Sequence, residues 1–422
     1  MRRAALVLAL VSATFAAEAR TRAVRKTPPP VNVTGPTFSK EVVRIFQQHC
    51  QSCHHEGDIA PFPLVEYADA APRALLIKFM TQSHQMPPWK PEQGCGEFEG
   101  ERRLSAGEID TIVKWVNSGA PEGNRADLPQ PLEFTSAWRL GEPDLVLRSA
   151  EAFTAPEGQD TYRCFSLPTN LTSTTYVRAV DTHPEDRESV HHLISFIDTT
   201  GASQRLDDAE PGPGYTCFGG PGFDTTGTLG GWAPGSPPFE MPDDVGFELP
   251  AGARVVLQVH YHPHHGAPEP DRTELAVYFS EKKPSKLMRI LPLINDTFII
   301  PPNVSNYEVP YTFPILTPYK MKLWLIAPHM HLLGKKMRVE MTPLNGTPQC
   351  LIDIEDWDFN WQGSYRYKKP IDIPVGTKLS LRAIYDNSSD NPLNPNVPPK
   401  PVGWGEATTD EMCIAFLGVT LE

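Results

Sequence analysis

Two groups of residues in this 422-residue chain have the types and spacing for redox chemistry. The first is Cys50-Gln51-Ser52-Cys53-His54. Two thiols three positions apart, followed at once by an imidazole, form the signature of c-type haem attachment. The thiols make thioethers with the haem vinyls, and His54 then reaches the iron. The second group is a set of histidine clusters. Of 13 histidines, many gather in Val190-His191-His192-Leu193, in Gln258-Val259-His260-Tyr261-His262 and in Pro328-His329-Met330-His331. A lone histidine is more often a surface or core residue, but three clusters on apolar, strand-like runs point to metal ligation. Imidazole suits copper or zinc, so the histidines alone do not choose the metal. Alternate residues of a strand share a face, so His329 and His331 can chelate one ion. His191 and His192 point oppositely on a regular strand, and sharing an ion requires a bulge or a strand end. His262 lies on the face of His260 and is a possible substitute ligand, while His264 and His265 read as loop residues. No convincing Ser-His-Asp or paired-carboxylate motif accompanies them.

The elements that position these groups differ along the chain. Before the haem-type motif, Val42, Ile45, Phe46 and His49 recur at helical spacing. A second helix is expected over Leu104 to Asn117, with Ser105 and Glu108 as a capping box, Ile109, Ile112, Val113 and Val116 as its apolar face, and Gly119 as its stop. Between them, Met86 in the Pro-flanked run Gln85-Met86-Pro87-Pro88-Trp89 is the expected second axial ligand of the iron. Met80 sits in the apolar helical stretch Leu75 to Met80 and reads as core, and His84 reads as exposed. Beyond Asn124 helical periodicity nearly disappears. Short β-rich runs follow at Arg254 to Tyr261, Leu275 to Phe279, Lys322 to Ile326, Met337 to Met341 and Lys378 to Tyr385, separated by Pro, Gly and Asn-Gly. The class is therefore mostly β, with about 290 residues forming two sandwiches after a small α-helical domain.

The division expected is a signal peptide over 1–19, a linker over 20–36, a helical domain over 37–124, and sandwiches over 135–283 and 284–422. The polar stretch Ser280 to Lys286 marks the last boundary, and the Gly- and Pro-rich stretch Gly212 to Pro238 reads as a long surface loop. Arg2 and Arg3, the apolar run Ala4 to Ala17, and Ala17-Glu18-Ala19 have the pattern of export and cleavage, which places the mature chain in the periplasm or outside the cell, with no membrane span. The formal net charge of -13 argues against tracking nucleic-acid phosphates. The 45 prolines disfavour long helices. Apart from Cys50 and Cys53, five cysteines remain (Cys95, Cys164, Cys217, Cys350 and Cys413), and an odd number leaves at least one thiol without a partner in the chain. Gly119 to Asn124, followed by Pro129 and Pro131, reads as a flexible joint on which the helical domain docks and swings.

Two resemblances extend this reading. The helical segment resembles a small class I cytochrome c. Most of residues 160–420 resembles the copper type II monooxygenases, the family of peptidylglycine α-hydroxylating monooxygenase and dopamine β-monooxygenase. The likeness is carried, in the family's order, by Tyr162-Arg163-Cys164, His191-His192, Gly231-Trp232-Ala233-Pro234-Gly235, Gln258-Val259-His260-Tyr261, His329-Met330-His331-Leu332-Leu333-Gly334-Lys335, Val402-Gly403-Trp404-Gly405 and Asp410-Glu411-Met412-Cys413. It implies two jelly-roll-like sandwiches facing each other across a wet cleft, with separated coppers. One copper would take His191, His192 and His260, and the other His329, His331 and Met412, a thioether that favours Cu(I) and dioxygen binding. It further implies hydroxylation of a C–H bond of a small-molecule substrate by O2. The fused, covalently bound haem c would supply electrons drawn from an external redox protein or small reductant. The family's peptide-amidating members anchor a substrate carboxylate where this chain has Ala327, Ile414 and Phe416, so a carboxylate-anchored substrate is not expected. The family's disulfide at Cys413 has no partner cysteine in Arg382-Ala383-Ile384-Tyr385. The alternative reading is a periplasmic haem/copper electron-transfer or copper-binding protein without oxygenase activity.

Overall fold

A computed structural model describes residues 35–134, 138–242, 244–262, 266–314 and 319–422. The expected signal peptide, almost all of the linker, and His264 and His265 lie outside the described residues. Three apolar clusters organise the rest. The first is helical and joins Phe38, Val42 and Phe46 to Ile112, Trp115 and Val116. Helix Val43–His49 supplies one side and helix Ala106–Asn117 the other. The capping box holds the start of the second helix: the Glu108 N–H donates to the Ser105 hydroxyl at 3.3 Å, and the Ser105 N–H returns to the Glu108 carboxylate at 2.7 Å. Gly119 ends it with φ +90°, a conformation that side chains disfavour. A third helix, Ala74–Gln82, buries Ala74, Ile77 and Thr81 but exposes Leu75, Leu76 and Phe79, so the apolar run there is not a core run.

The second cluster lies between two mostly antiparallel sheets. One sheet contains Thr175–His183 and Glu274–Phe279, and the other orders Thr161–Pro168, Arg254–Tyr261, Val190–Asp198 and Gly227–Trp232 side by side. Phe165, Leu167, Val177, Val255 and Leu257 interdigitate between them. Gly212 to Pro238 is therefore more than surface loop. Gly227–Trp232 is a strand, with Leu229 wholly buried. A side chain at Gly231 would come within 2.9 Å of the Leu193 carbonyl, so the close pairing itself calls for glycine. The third cluster packs Met321–His329 and Ile414–Leu421 against Gly334–Thr342 and Lys378–Asn387. The strand that opens this sandwich is Arg289–Ile294, whereas Lys286–Leu287 still pairs, in parallel, with Val245–Leu249 of the first.

The helical region is not a ball on a hinge. Pro91 bridges Ile354, Phe98 bridges Tyr367, and Trp89 and Phe98 pack into the second sandwich's core. A Cys95–Cys350 disulfide fixes that attachment. Because it joins residues 255 positions apart, its chain-entropy contribution is on the order of 5 kcal/mol. The expected joint is tied as well: the Phe38 and Ser39 N–H groups donate to the Pro121 and Glu122 carbonyls at 3.0 and 2.8 Å. These contacts replace the swinging domain that the Gly- and Pro-rich composition suggested. A second disulfide joins Cys164 and Cys217, and Cys413 is unpaired and buried. The Tyr385 hydroxyl donates to the Met412 carbonyl at 2.6 Å. No helix among the described residues is long and apolar enough to cross a membrane.

Candidate metal centre

His192 and His260 face each other on adjacent strands of the first sandwich. The register shifts between Val190 and His192. This irregularity is what the adjacent pair requires to bring both imidazoles to one side. Nδ1 of His191 lies 3.0 Å from Nδ1 of His192, and the His260 ring is 5.2 and 4.9 Å from the two rings. One ring nitrogen from each of the three lies within 4.8 Å of the others. His260 Nε2 is 2.8 Å from the Asp160 carboxylate, while its Nδ1 is buried without a hydrogen-bond partner. That orphaned nitrogen, aimed among neighbouring imidazoles, fits a metal ligand whose other nitrogen is oriented by a carboxylate. Burial first, then the neighbouring imidazoles, hold His191 and His192 well below the ordinary histidine range. Burial also lowers His260, against the pull of Asp160. Neutral imidazole is the form that binds metal.

In the second sandwich, His329 pairs with Ile414 at the end of the ladder, and His331 and Met412 lie in the two chain segments just beyond it. Glu411 closes that end. Its carboxylate accepts the N–H of His331 at 2.9 Å, of Leu333 at 2.6 Å and of Met412 at 3.3 Å, tying the His-x-His turn to the methionine. Burial pushes Glu411 up to about 8 although these N–H groups pull the other way. His329 Nδ1 lies close to the Gln362 amide oxygen, and His331 Nδ1 is 3.1 Å from the Asp410 carbonyl. Burial is the main cause that takes His329 down to about 4 and His331 to about 3. Met412 is buried two residues before the strand Ile414–Leu421, and a thioether suits a soft metal.

The two histidine sets are close together. The rings of His192 and His329 are 6.0 Å apart, and Phe359 stacks on His191 at 4.4 Å with the His331 ring 6.2 Å away. The resemblance implies separated sites, whereas here the two histidine sets meet, with His192 and His329 in ring contact. His262 is 2.7 Å from the same Asp160 oxygen that holds His260, so Asp160, His260 and His262 form an alternative metal-capable triad. Ala327, Ile414 and Phe416 stand together across paired strands, and none offers a polar anchor.

The haem-type residues lie in the helical region, where Cys50 packs against its core. Cys50 and Cys53 are free thiols, and His54 Nδ1 is held by the Phe62 carbonyl at 2.9 Å, which leaves Nε2 for an iron. These features fit covalent haem. Met86 is half-buried, follows helix Ala74–Gln82 and precedes a cis Pro87; Met80 is half-buried and His84 exposed. A cavity of about 690 Å³ opens between this region and the first sandwich, lined by His55, Phe134, His183 and Trp232 among others. None of Cys50, Cys53, His54 and Met86, and none of the metal-type histidines, lines it.

Four residues of this centre have no signal in the sequence reading: Asp160, Phe359, Gln362 and Glu411. Asp160 directly precedes the Thr161-Tyr162-Arg163-Cys164 run, and Glu411 lies inside the quoted Asp410–Cys413 run, so nearness to those runs was the one available hint.

Comparison with known proteins agrees with this geometry. Residues 285–418 match the family described as copper type II ascorbate-dependent monooxygenase, C-terminal domain. The chain is similar to the peptidylglycine alpha-amidating monooxygenase of Rattus norvegicus, with 23% identity over 291 residues, which is 67% of this chain and 28% of that protein. It is also similar to the DBH-like monooxygenase protein 2 of Mus musculus, with 26% identity over 288 residues, 63% of this chain and 44% of that protein. Both of these relatives are monooxygenases by name. The chain spans about a quarter to under a half of their length. Among solved structures, PNGase F of Flavobacterium meningosepticum aligns over 66% of this chain and 96% of its own, with 9% identity and a TM-score of 0.31.

Proposed function

We propose that this chain is an exported copper-dependent monooxygenase that hydroxylates a C–H bond of a small, weakly polar molecule with O2. In this reading its electrons pass through a covalently bound c-type haem. The observation that carries it is the convergence of His191, His192 and His260 with His329 and His331, in a chain whose residues 285–418 match a copper monooxygenase domain. His191, His192 and His260 would hold one copper, and His329, His331 and Met412 the other. Bound there, copper supplies one-electron chemistry and activation of dioxygen. The protein's part is to keep five imidazoles neutral by burial, to orient His260 through Asp160 and His329 through Gln362, and to fix His331 and Met412 through Glu411. The apolar positions Ala327, Ile414 and Phe416 favour a substrate without a carboxylate. Two disulfides accord with an oxidising compartment. Cys50, Cys53, His54 and Met86 would hold the haem, whose thioether links resist denaturing extraction.

The test is oxygen incorporation. The copper- and haem-loaded chain, supplied with ascorbate and a panel of small apolar substrates, should place one labelled oxygen from 18O2 in a product. Oxygen uptake that no substrate stimulates, with no labelled product, would instead support a haem/copper electron carrier.

A further inference from the structure

Gly235 stands where three parts of the molecule meet. A methyl group built on it would lie 3.8 Å from Cys53 Sγ, 3.7 Å from the Trp361 ring and 3.7 Å from the Arg102 guanidinium. The indole and the haem-type thiol thus flank the same small space. Arg102 donates to the Gly235 carbonyl at 3.0 Å, and its own carbonyl is 3.2 Å from His49 Nδ1 at the end of helix Val43–His49. The contact is therefore built from both sides. Trp361 belongs to a short turn, Asp358 to Gln362, in which its N–H donates to the Asp358 carbonyl at 3.0 Å. The other residues of that turn reach the metal-type histidines directly. Gln362, its neighbour in sequence, hydrogen-bonds His329, and Phe359 stacks on His191 beside His331. One turn of five residues thus reaches Gly235 through Trp361 and both histidine sets through Phe359 and Gln362.

We propose that Trp361 is the electron bridge of this protein, taking electrons from the Cys53 thioether edge of the haem into the turn that carries Phe359 and Gln362 to the copper histidines. The inference rests on the haem and copper reading above and adds the route. In each transfer one electron leaves Fe(II) haem, giving Fe(III), and reduces one Cu(II) to Cu(I), with no bond made or broken and no proton moved. Electron tunnelling falls steeply with distance and with gaps in packing. A half-buried indole that lies with Cys53 around Gly235, on the turn that reaches the histidines, shortens the gap between the redox centres. Trp361 is a positioning and coupling residue, since it is proposed to touch neither copper.

The experiment uses the full chain, haem-attached and copper-loaded, with the haem reduced, both coppers oxidised and oxygen excluded. Stopped-flow absorbance follows the return of Fe(III) haem. In Trp361→Ala, reoxidation should slow by about tenfold or more, because removing the ring leaves a gap where packed atoms made contact. The haem spectrum and potential and the Cu(II) EPR signal should stay as in the parent. Trp361→Phe keeps an aromatic ring and should retain most of the rate, which guards against a general folding defect in the alanine variant. An unchanged rate in Trp361→Ala, with both cofactors loaded, overturns the bridge while leaving the haem reading intact. A parent chain that carries no covalent haem, or whose haem never reoxidises, overturns the haem reading and the bridge together.

Discussion

The two histidine sets lie against each other, yet their surroundings differ in charge. The three-imidazole set has an ionised carboxylate: burial works against Asp160, but hydrogen bonds with His260 and His262 outweigh it and hold its carboxyl well below the usual range. Tyr162 stacks on His260 at 4.2 Å. The imidazoles of His329 and His331 have neutral partners, namely the Gln362 amide and the Asp410 carbonyl, and burial pushes the nearby Glu411 up to about 8. A negative charge on an outer ligand favours the higher oxidation state, and a thioether in a neutral shell favours the lower. Neighbouring sites of unequal softness are what a two-copper oxygenase needs: one to store an electron and one to meet dioxygen.

Removing a ligand should break this asymmetry most severely. His331→Ala should lower substrate hydroxylation by more than the roughly 10–100-fold typical of losing an outer-shell partner. Metal analysis should still find copper at the three-imidazole set, with its Cu(II) EPR signal unchanged. Loss of both coppers would mean that the cluster binds as a single unit.

Asp160→Asn comes next. Copper competition titrations should show Cu(II) affinity at the three-imidazole set falling roughly 10–100-fold, while the other set is little changed. The matching substitution Gln362→Leu should weaken the His329 set and spare the first. Equal losses at both sets from either substitution would remove the distinction drawn here.

A separate effect is expected on the metal-free protein. His329 and His331 titrate at about 4 and about 3 when folded, against an ordinary value of 6.5. Below pH 6.5 the unfolded chain therefore binds more protons, and stability rises with pH in that range. Urea titrations of the apo-protein should show full stability above pH 6.5 and a progressive loss as pH falls from 6.5 toward 3. In His329→Ala that acid slope should be shallower.

How much of this was legible in the sequence depended on the range of the contacts. The helix Ala106–Asn117 was readable with its cap, because Ser105 and Glu108 are local partners. The strand Arg254–Tyr261 was readable because its apolar run is bounded by turns, and the histidine clusters named His191, His192 and His260, whose rings come together. Asp160 was not readable as an outer partner of His260, since it lies 100 positions away, nor was Glu411, which reaches His331 across 80. Gly227–Trp232 hid in a Gly-rich composition that mimics a loop, although close strand pairing is what requires Gly231. The integration of Trp89, Cys95 and Phe98 into the last sandwich follows from a disulfide whose connectivity five cysteines could not reveal.

The most direct test of two unlike copper sites is X-ray absorption at the copper edge of the fully reduced, two-copper protein. The account predicts imidazole scattering throughout plus one sulfur scatterer for every two coppers, and loss of that sulfur in Met412→Ile with the imidazole shells retained. Sulfur scattering that persists in Met412→Ile, or its absence from the parent, would contradict the assignment of Met412 and with it the inequality of the two sites.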